Sequence, residues 1–229
     1  MNRTFVMGDI HGAFRALKQC LERASFDYET DRLIALGDVC DGWPETKECV
    51  DELMKIKSLI FILGNHDMIM LDWMETGMMA ESWFVHGGEA TCNSYADAIP
   101  RSHIDFIKRA KLYHVENNKL FVHAGILTDR SLEQQGPSVF LWDRTLATSA
   151  TDFYNQGISK PITKFDEIYI GHTPIASPCP LKCCEVWMMD TGAGWYGPLS
   201  MMNINTKEFF ISDPVTTLYP GITGRTRKN

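Results

Sequence analysis

Three short apolar runs each end in a glycine followed by an Asp or Asn, and this repeat limits the fold more tightly than any other feature. Thr4-Phe5-Val6-Met7 leads into Gly8-Asp9-Ile10-His11-Gly12, and Leu33-Ile34-Ala35-Leu36 into Gly37-Asp38-Val39-Cys40-Asp41-Gly42. Leu59-Ile60-Phe61-Ile62-Leu63 leads into Gly64-Asn65-His66-Asp67. Unbroken apolar runs of this length read as buried strands. After the first motif, Phe14, Leu17, Leu21 and Ala24 recur at helical spacing, which predicts an amphipathic helix over 14–24. A second helix is expected from about Glu45 to Ile56, with Pro44 near its N-terminus. Strand, polar loop and helix then repeat, as in a parallel sheet. Right-handed crossovers bring all three loops to one edge, the carboxyl edge where such sheets build sites. That edge receives Asp9, His11, Asp38, Asn65 and His66.

Over about 68–118 the chain turns Met- and Trp-rich, and a helical insertion beside that edge is expected. The stripe Met68, Met70, Leu71, Met74, Met78 and Met79 is most simply core, the sharper alternative being a Met-lined wall for a partner peptide. Lys119-Leu120-Phe121-Val122 and Glu167-Ile168-Tyr169-Ile170 read as strands running into His123-Ala124-Gly125 and Gly171-His172-Thr173. Val186 to Met189 ends in Asp190, and 200–203 with 208–212 form a final antiparallel pair around Asn205-Thr206-Lys207. The organisation expected is one domain over 1–220, followed by a short basic tail over 221–229 with no assigned role.

A net charge of −7 with no basic block excludes general binding to nucleic acid polymers, which requires clustered Lys and Arg. No apolar run approaches the roughly 18 residues needed to cross a membrane, and Met1-Asn2-Arg3 passes straight into a strand, so no leader is expected. Seven cysteines is an odd count, and Cys20 and Cys49 fall on apolar helical positions, which fits a reduced, cytoplasmic protein. Cys179, Cys183 and Cys184 lie close together, but no second pair is placed to complete four zinc ligands.

Asp9, His11, Asp38, Asn65, His123 and His172 all stand beyond strand-like runs, each beside a glycine or, for His123, two residues from one. Together they offer mixed oxygen and imidazole donors, a set suited to Mn²⁺, Fe or Zn²⁺. Six ligands exceed the need of one ion. Two ions about 3.5–4 Å apart, bridged by Asp38 on the central motif, are the economical arrangement. Such a pair acidifies a shared water for in-line attack on phosphorus, with His66 placed to protonate the leaving oxygen and Asp41 to orient that imidazole.

These five motifs, in this order, resemble the metallophosphoesterases of the phosphoprotein phosphatase family. The likeness runs from about Arg3 to Ile211 and is strongest to small bacterial and phage serine/threonine protein phosphatases, with diadenosine tetraphosphate hydrolases as near relatives. Gly87-Gly88-Glu89-Ala90-Thr91 followed by Ser94-Tyr95 is similar to their intervening segment. The resemblance implies an α/β fold, a four-layer α/β/β/α sandwich of two mixed sheets. It implies that Asp9, His11 and Asp38 hold one ion, that Asp38, Asn65, His123 and His172 hold a second, and that Mn²⁺ supports activity. It ranks a phosphorylated protein first as substrate, a dinucleoside polyphosphate second, and a non-catalytic metal-binding module third. Oligomeric state is left open.

One departure stands out. The family usually has Arg after the second Asp of the central motif, where it grips phosphate, whereas this chain has Gly42-Trp43. Arg144 in Leu141-Trp142-Asp143-Arg144 resembles a second phosphate-binding Arg, and Asn65 and His66 would complete that contact. Trp43 is expected either to pack in the core or to offer a flat apolar wall to an aromatic leaving group.

Overall fold

In the computed structural model, which describes residues 3–225, strands β1 (Thr4–Met7), β2 (Arg32–Ala35) and β3 (Ser58–Phe61) run parallel, with Phe5 opposite Leu33 and Leu33 opposite Leu59. Helices α1 (Phe14–Arg23) and α2 (Thr46–Leu53) make the crossovers. Strand side chains alternate between faces. Phe5, Met7, Leu33, Ala35 and Phe61 pack with Leu17, Leu21, Val50 and Leu53 of the two helices. Val6 and Ile34 point the other way and meet Phe121, Tyr169 and Trp187 of a second sheet. Both faces of these strands are covered, which is why their sequences are apolar at successive positions rather than alternating.

The second sheet has the order β4 (Tyr113–Glu116), β5 (Lys119–Val122), β6 (Glu167–Ile170), β8 (Val186–Met188), β7 (Leu181–Cys183), with β5, β6 and β8 mutually parallel. Its outer face, with Leu120, Val122, Ile168 and Ile170, packs on Phe140 of α7 (Pro137–Trp142) and Leu146, Ala147 and Ala150 of α8 (Thr145–Asn155). Strands β9 (Ser200–Asn203) and β10 (Phe209–Ile211) return to the first sheet, β9 lying antiparallel to β1. Helix, sheet, sheet, helix is the four-layer α/β/β/α arrangement implied by the motifs, and both sheets are mixed.

Between the sheets in sequence lie α3 (Asn65–Thr76), α4 (Glu81–Trp83), a kink over Phe84–Gly88 where Gly87 is left-handed at φ 99°, α5 (Glu89–Ser94) and α6 (Arg101–Lys108). The methionine stripe is core only in part. Met70 and Met74 are buried and Met68, in the first turn of α3, is exposed, whereas Met78 and Met79 are exposed because α3 stops at Thr76 and left-handed Gly77 breaks the helical spacing before Met78. Strands β4 and β7, which the sequence pattern did not announce, are short edge strands carrying His114, Glu116 and Lys182, so no apolar run marks them. Of the basic tail expected over 221–229, residues 226–229 lie outside the described residues. Gly224 and Arg225 pack against Trp43 and Trp195. Among the described residues no helix is long and apolar enough to cross a membrane.

Candidate metal centre and active site

The carboxyl ends of β1, β2 and β3 face those of β5, β6 and β8, and the six loops deliver their polar residues to one place. Ligand atoms of Asp9, His11 and Asp38 lie within 4.8 Å of one another, and so do those of Asp38, His123 and His172. Asp38 belongs to both groups. Asn65 joins the second through its Oδ1, 2.9 Å from His123 Nε2. All six residues singled out as ligands from the sequence therefore converge, and neither group includes a cysteine.

The loops reach these positions at a local cost. His11, Asp38, Asp41 and His172 have φ of 52°, 50°, 69° and 61°, left-handed conformations that a non-glycine residue adopts only where its surroundings hold it. Asp67 supplies much of that hold. Its Oδ2 accepts the N–H groups of Asp38 at 2.8 Å and Gly64 at 2.9 Å, and its Oδ1 that of Val39 at 2.8 Å. Thus one buried carboxylate ties the second motif to the third. The backbone N–H of His66 donates to Asp38 Oδ1 at 2.9 Å, and that of His172 to Asp9 Oδ2 at 2.9 Å, so loops from both sheets are laced through the ligands. Gly171 must lack a side chain, since a Cβ there would stand 2.0 Å from Asp9 Oδ1.

The donor set fits cations. His11 Nδ1–H donates to the Cys40 carbonyl at 2.9 Å and His123 Nδ1–H to that of Leu36 at 2.8 Å. A carbonyl only accepts, so each ring carries its hydrogen on Nδ1 and turns Nε2 to the cluster, and burial keeps His11 neutral with its lone pair there. His123 Nε2 then confronts Asn65 Oδ1 and, at 3.4 Å, Asp38 Oδ2, an array of acceptors that only a cation or a proton reconciles. Asp9 Oδ1 is buried without a hydrogen-bond partner. Electrostatics agree: burial and Asp190 push the Asp9 carboxyl well up, and burial lifts Asp190 to about 6 and, with Asp38 beside it, Asp67 to about 7. Burial opposes ionisation of His123 and of Asp38, but their mutual attraction outweighs it, raising the imidazole to about 10 and holding the carboxyl well down. Burial, together with the charge of His123, lowers His172 to about 3. Acidic groups forced towards neutrality mark a place short of positive charge.

His66 and Asp41 stand together. His66 Nδ1 lies 2.7 Å from Asp41 Oδ2, which also accepts Trp83 Nε1–H at 2.6 Å, while Thr91 Oγ1 donates to Asp41 Oδ1 at 2.7 Å. With Nδ1–H given to Asp41, the Nε2 of His66 is left to the cleft the residue lines. That cleft has a volume of about 790 Å³. Its wall includes Met68, Trp142, Arg144 and Trp195, and Arg144 reaches Thr173 Oγ1 at 3.5 Å.

Trp43 is not part of that wall. It is fully buried, donates Nε1–H to the Ala193 carbonyl at 2.6 Å and stacks on Tyr219 with centroids 4.9 Å apart, so it cannot offer a face to a leaving group. Three further residues were given no role in the site from the sequence. Asp190 follows β8 as Asp9 follows β1, a signal that was present. Asp67 sits three residues beyond Gly64, where an acidic side chain reaches back to free N–H groups at a helix start. Arg225, which also lines the cleft, had no local signal.

Residues 3–176 match the family model for calcineurin-like phosphoesterases. A symmetrical bis(5′-nucleosyl)-tetraphosphatase of Pseudomonas fluorescens is 34% identical, over 90% of this chain and 92% of that protein. Serine/threonine-protein phosphatase 1 of Salmonella typhimurium is 26% identical, over 87% of this chain and 91% of that protein. The chain spans about half the length of other curated relatives, 46% in the case of the Nitrosospira multiformis tetraphosphatase, with which it is 31% identical over 57% of its own length. A serine/threonine phosphatase structure from Saccharomyces cerevisiae superposes with a TM-score of 0.65 at 13% identity, covering 99% of this chain and 84% of that one, a likeness of fold alone. With the family model spanning most of the chain, this protein belongs to the calcineurin-like phosphoesterase family.

Proposed function

We propose that the chain is a two-metal phosphoester hydrolase that cleaves a bis(5′-nucleosyl) polyphosphate. Asp9, His11 and Asp38 would hold one divalent cation, and Asp38, Asn65, His123 and His172 the other, with Mn²⁺ the first choice and Fe or Zn²⁺ the alternatives. Such ions supply Lewis acidity and make water acidic enough to react near neutral pH. The protein's own groups do the rest. Arg144 binds phosphate oxygens at the mouth of the cleft. As a water oxygen bonds to phosphorus and the bridging P–O bond breaks, His66 Nε2–H gives its proton to the departing nucleotide oxygen, and the water's proton passes to solvent. Asp41 holds the imidazole in the orientation this requires.

The observation that carries the choice of substrate is Trp142. Its indole is 45% exposed and stands edge-on to His172, centroids 6.2 Å apart, so a base can stack beside the candidate metal group. The name of the Pseudomonas fluorescens relative supports the same choice. The motifs taken alone rank a phosphoprotein first, and the Salmonella typhimurium relative, matched over 91% of its length, keeps that as the second reading. Mn²⁺-loaded protein should convert diadenosine tetraphosphate to two molecules of ADP. Release of inorganic phosphate from phosphoserine, phosphothreonine or phosphotyrosine peptides, with the dinucleotide untouched, would transfer the assignment to the second reading. Metal binding without turnover of either would leave a binding module.

A further inference from the structure

The wall of the cleft holds a guanidinium, that of Arg225, which among the described residues feels the charge of Asp190 but makes no ion pair with it. Arg225 lies far along the chain from every strand-end motif, yet its Nη1 is 3.2 Å from His11 Nε2, the lone-pair nitrogen aimed at the first candidate metal group. Its Nε is buried with no hydrogen-bond partner. Among the described residues it forms no ion pair. Its guanidinium instead lies over the Trp195 ring, 4.6 Å from the centroid, while its backbone N–H donates to the Gly194 carbonyl at 3.2 Å. A planar cation held by stacking, with its Nε–H unmatched and no ion pair among the described residues, can take an anion beside the candidate metal cluster.

The position of Arg225 explains Gly42-Trp43. Gly42 has φ +127°, and a Cβ on it would come within 3.2 Å of Arg225 Cγ, so the arginine side chain runs through the space that a side chain at 42 would take. Directly below, the Trp43 indole lies against Gly224, where a Cβ would be 2.8 Å from Cζ2, and its other neighbour is Tyr219. Gly42 leaves the room and Trp43 provides the floor on which the segment from Tyr219 to Arg225 is laid.

We infer that Arg225 is a substrate-phosphate ligand, brought to the cleft by the segment after Tyr219 and seated on Gly42-Trp43. Arg144 stands beside His172 and Arg225 beside His11, one guanidinium near each candidate metal group. Once His11 Nε2 is engaged by a cation, the Nη1–H directed at it needs another acceptor, and a phosphoryl oxygen has both the lone pairs and the charge. The inference rests on the phosphoester-cleaving reading for its substrate but not for its measurement.

The experiment is calorimetric binding of inorganic phosphate to the full chain loaded with Mn²⁺, comparing wild type, Arg225→Ala and Arg225→Lys, with metal content and melting temperature measured alongside. Arg225→Ala should weaken phosphate binding roughly tenfold to a hundredfold, the scale of one charge-assisted clamp, with metal content and melting unchanged. Arg225→Lys should recover only part, because an ammonium cannot match two oxygens with a planar fork. Unchanged phosphate affinity in Arg225→Ala overturns the inference, whether accompanied by a lower melting temperature or by tighter metal binding, and so does a wild type that binds no phosphate. Phosphate binding that depends on Arg225 in a protein that turns over neither substrate would sink the proposed function and leave this ligand standing. Turnover with Arg225-independent phosphate binding would do the reverse.

Discussion

On the floor of the cleft Asp9, Asp38, His123 and His172 are 2%, 2%, 0% and 7% exposed, and backbone groups from neighbouring loops fix each except His172 through its side chain. On the wall Trp142 is 45% exposed and, among the described residues, the Arg144 side chain has one hydrogen bond, at 3.5 Å to Thr173 Oγ1. The two regions share one cavity but answer different demands. A metal pair tolerates little displacement of its ligands, so the floor must be set by buried strands, whereas a wall that meets a substrate can be built from whichever loops arrive. Substitutions on the floor should therefore cost the reaction itself, and those on the wall should cost substrate affinity.

The sharpest test of that division is Asp38→Asn. It removes the one carboxylate common to both candidate ligand groups. Turnover should fall below detection and metal content from two per chain towards none, as read by elemental analysis. Two ions retained with measurable turnover would show that the floor is less strictly set than its burial implies. His66→Asn comes next. It leaves every ligand in place, so metal content should be unchanged while kcat drops on the order of 10²–10⁴-fold, most for poor leaving groups. An equal drop for good and poor leaving groups would remove His66 from the role of acid. Asp67→Asn changes no candidate ligand, but it replaces with an N–H₂ one of the two oxygens that between them accept three backbone N–H groups. Metal affinity should weaken roughly tenfold to a hundredfold, in step with activity. Normal affinity in this variant would mean that the left-handed loops hold their shape without it.

The same division separates what could be read in the sequence from what could not. Asp9, Asp38 and Asn65 follow apolar runs directly, because a buried strand has to end before a charged or polar side chain can begin, and the parallel crossovers fix where those ends meet. His123 and His172 obey the same rule on the second sheet, and Asp190 obeys it too, after a strand of three residues. The wall has no such grammar. Trp43 was ambiguous because an indole serves a core and a binding face equally well, and only the approach of Gly224 and Tyr219 decides between them. Arg225 was invisible for a related reason: in sequence it is one basic residue among several in a polar stretch, and its contact with His11 exists only after the whole chain has closed. The return of β9 and β10 to the first sheet was hidden likewise, since an antiparallel pair announces its hairpin but not the strand beside which it docks.

The smallest effect, and the one that bears most directly on the wall, is expected from Trp142→Ala. Stacking of a base on an exposed aromatic ring contributes about 1–3 kcal/mol, so KM for diadenosine tetraphosphate should rise roughly fivefold to a hundredfold. The ring sits beside His172 rather than among the ligand atoms, so kcat and metal content should hold. A phosphoester without a base, such as glycerol phosphate, provides the contrast, because its KM should not move. If KM rose equally for both substrates, Trp142 would be acting on the phosphate through Arg144, two residues along the same turn, and the argument for a nucleotide would lose its main support. If instead kcat fell and metal was lost, the indole would be holding His172 in place, and the boundary between floor and wall would have to be moved outward to include it.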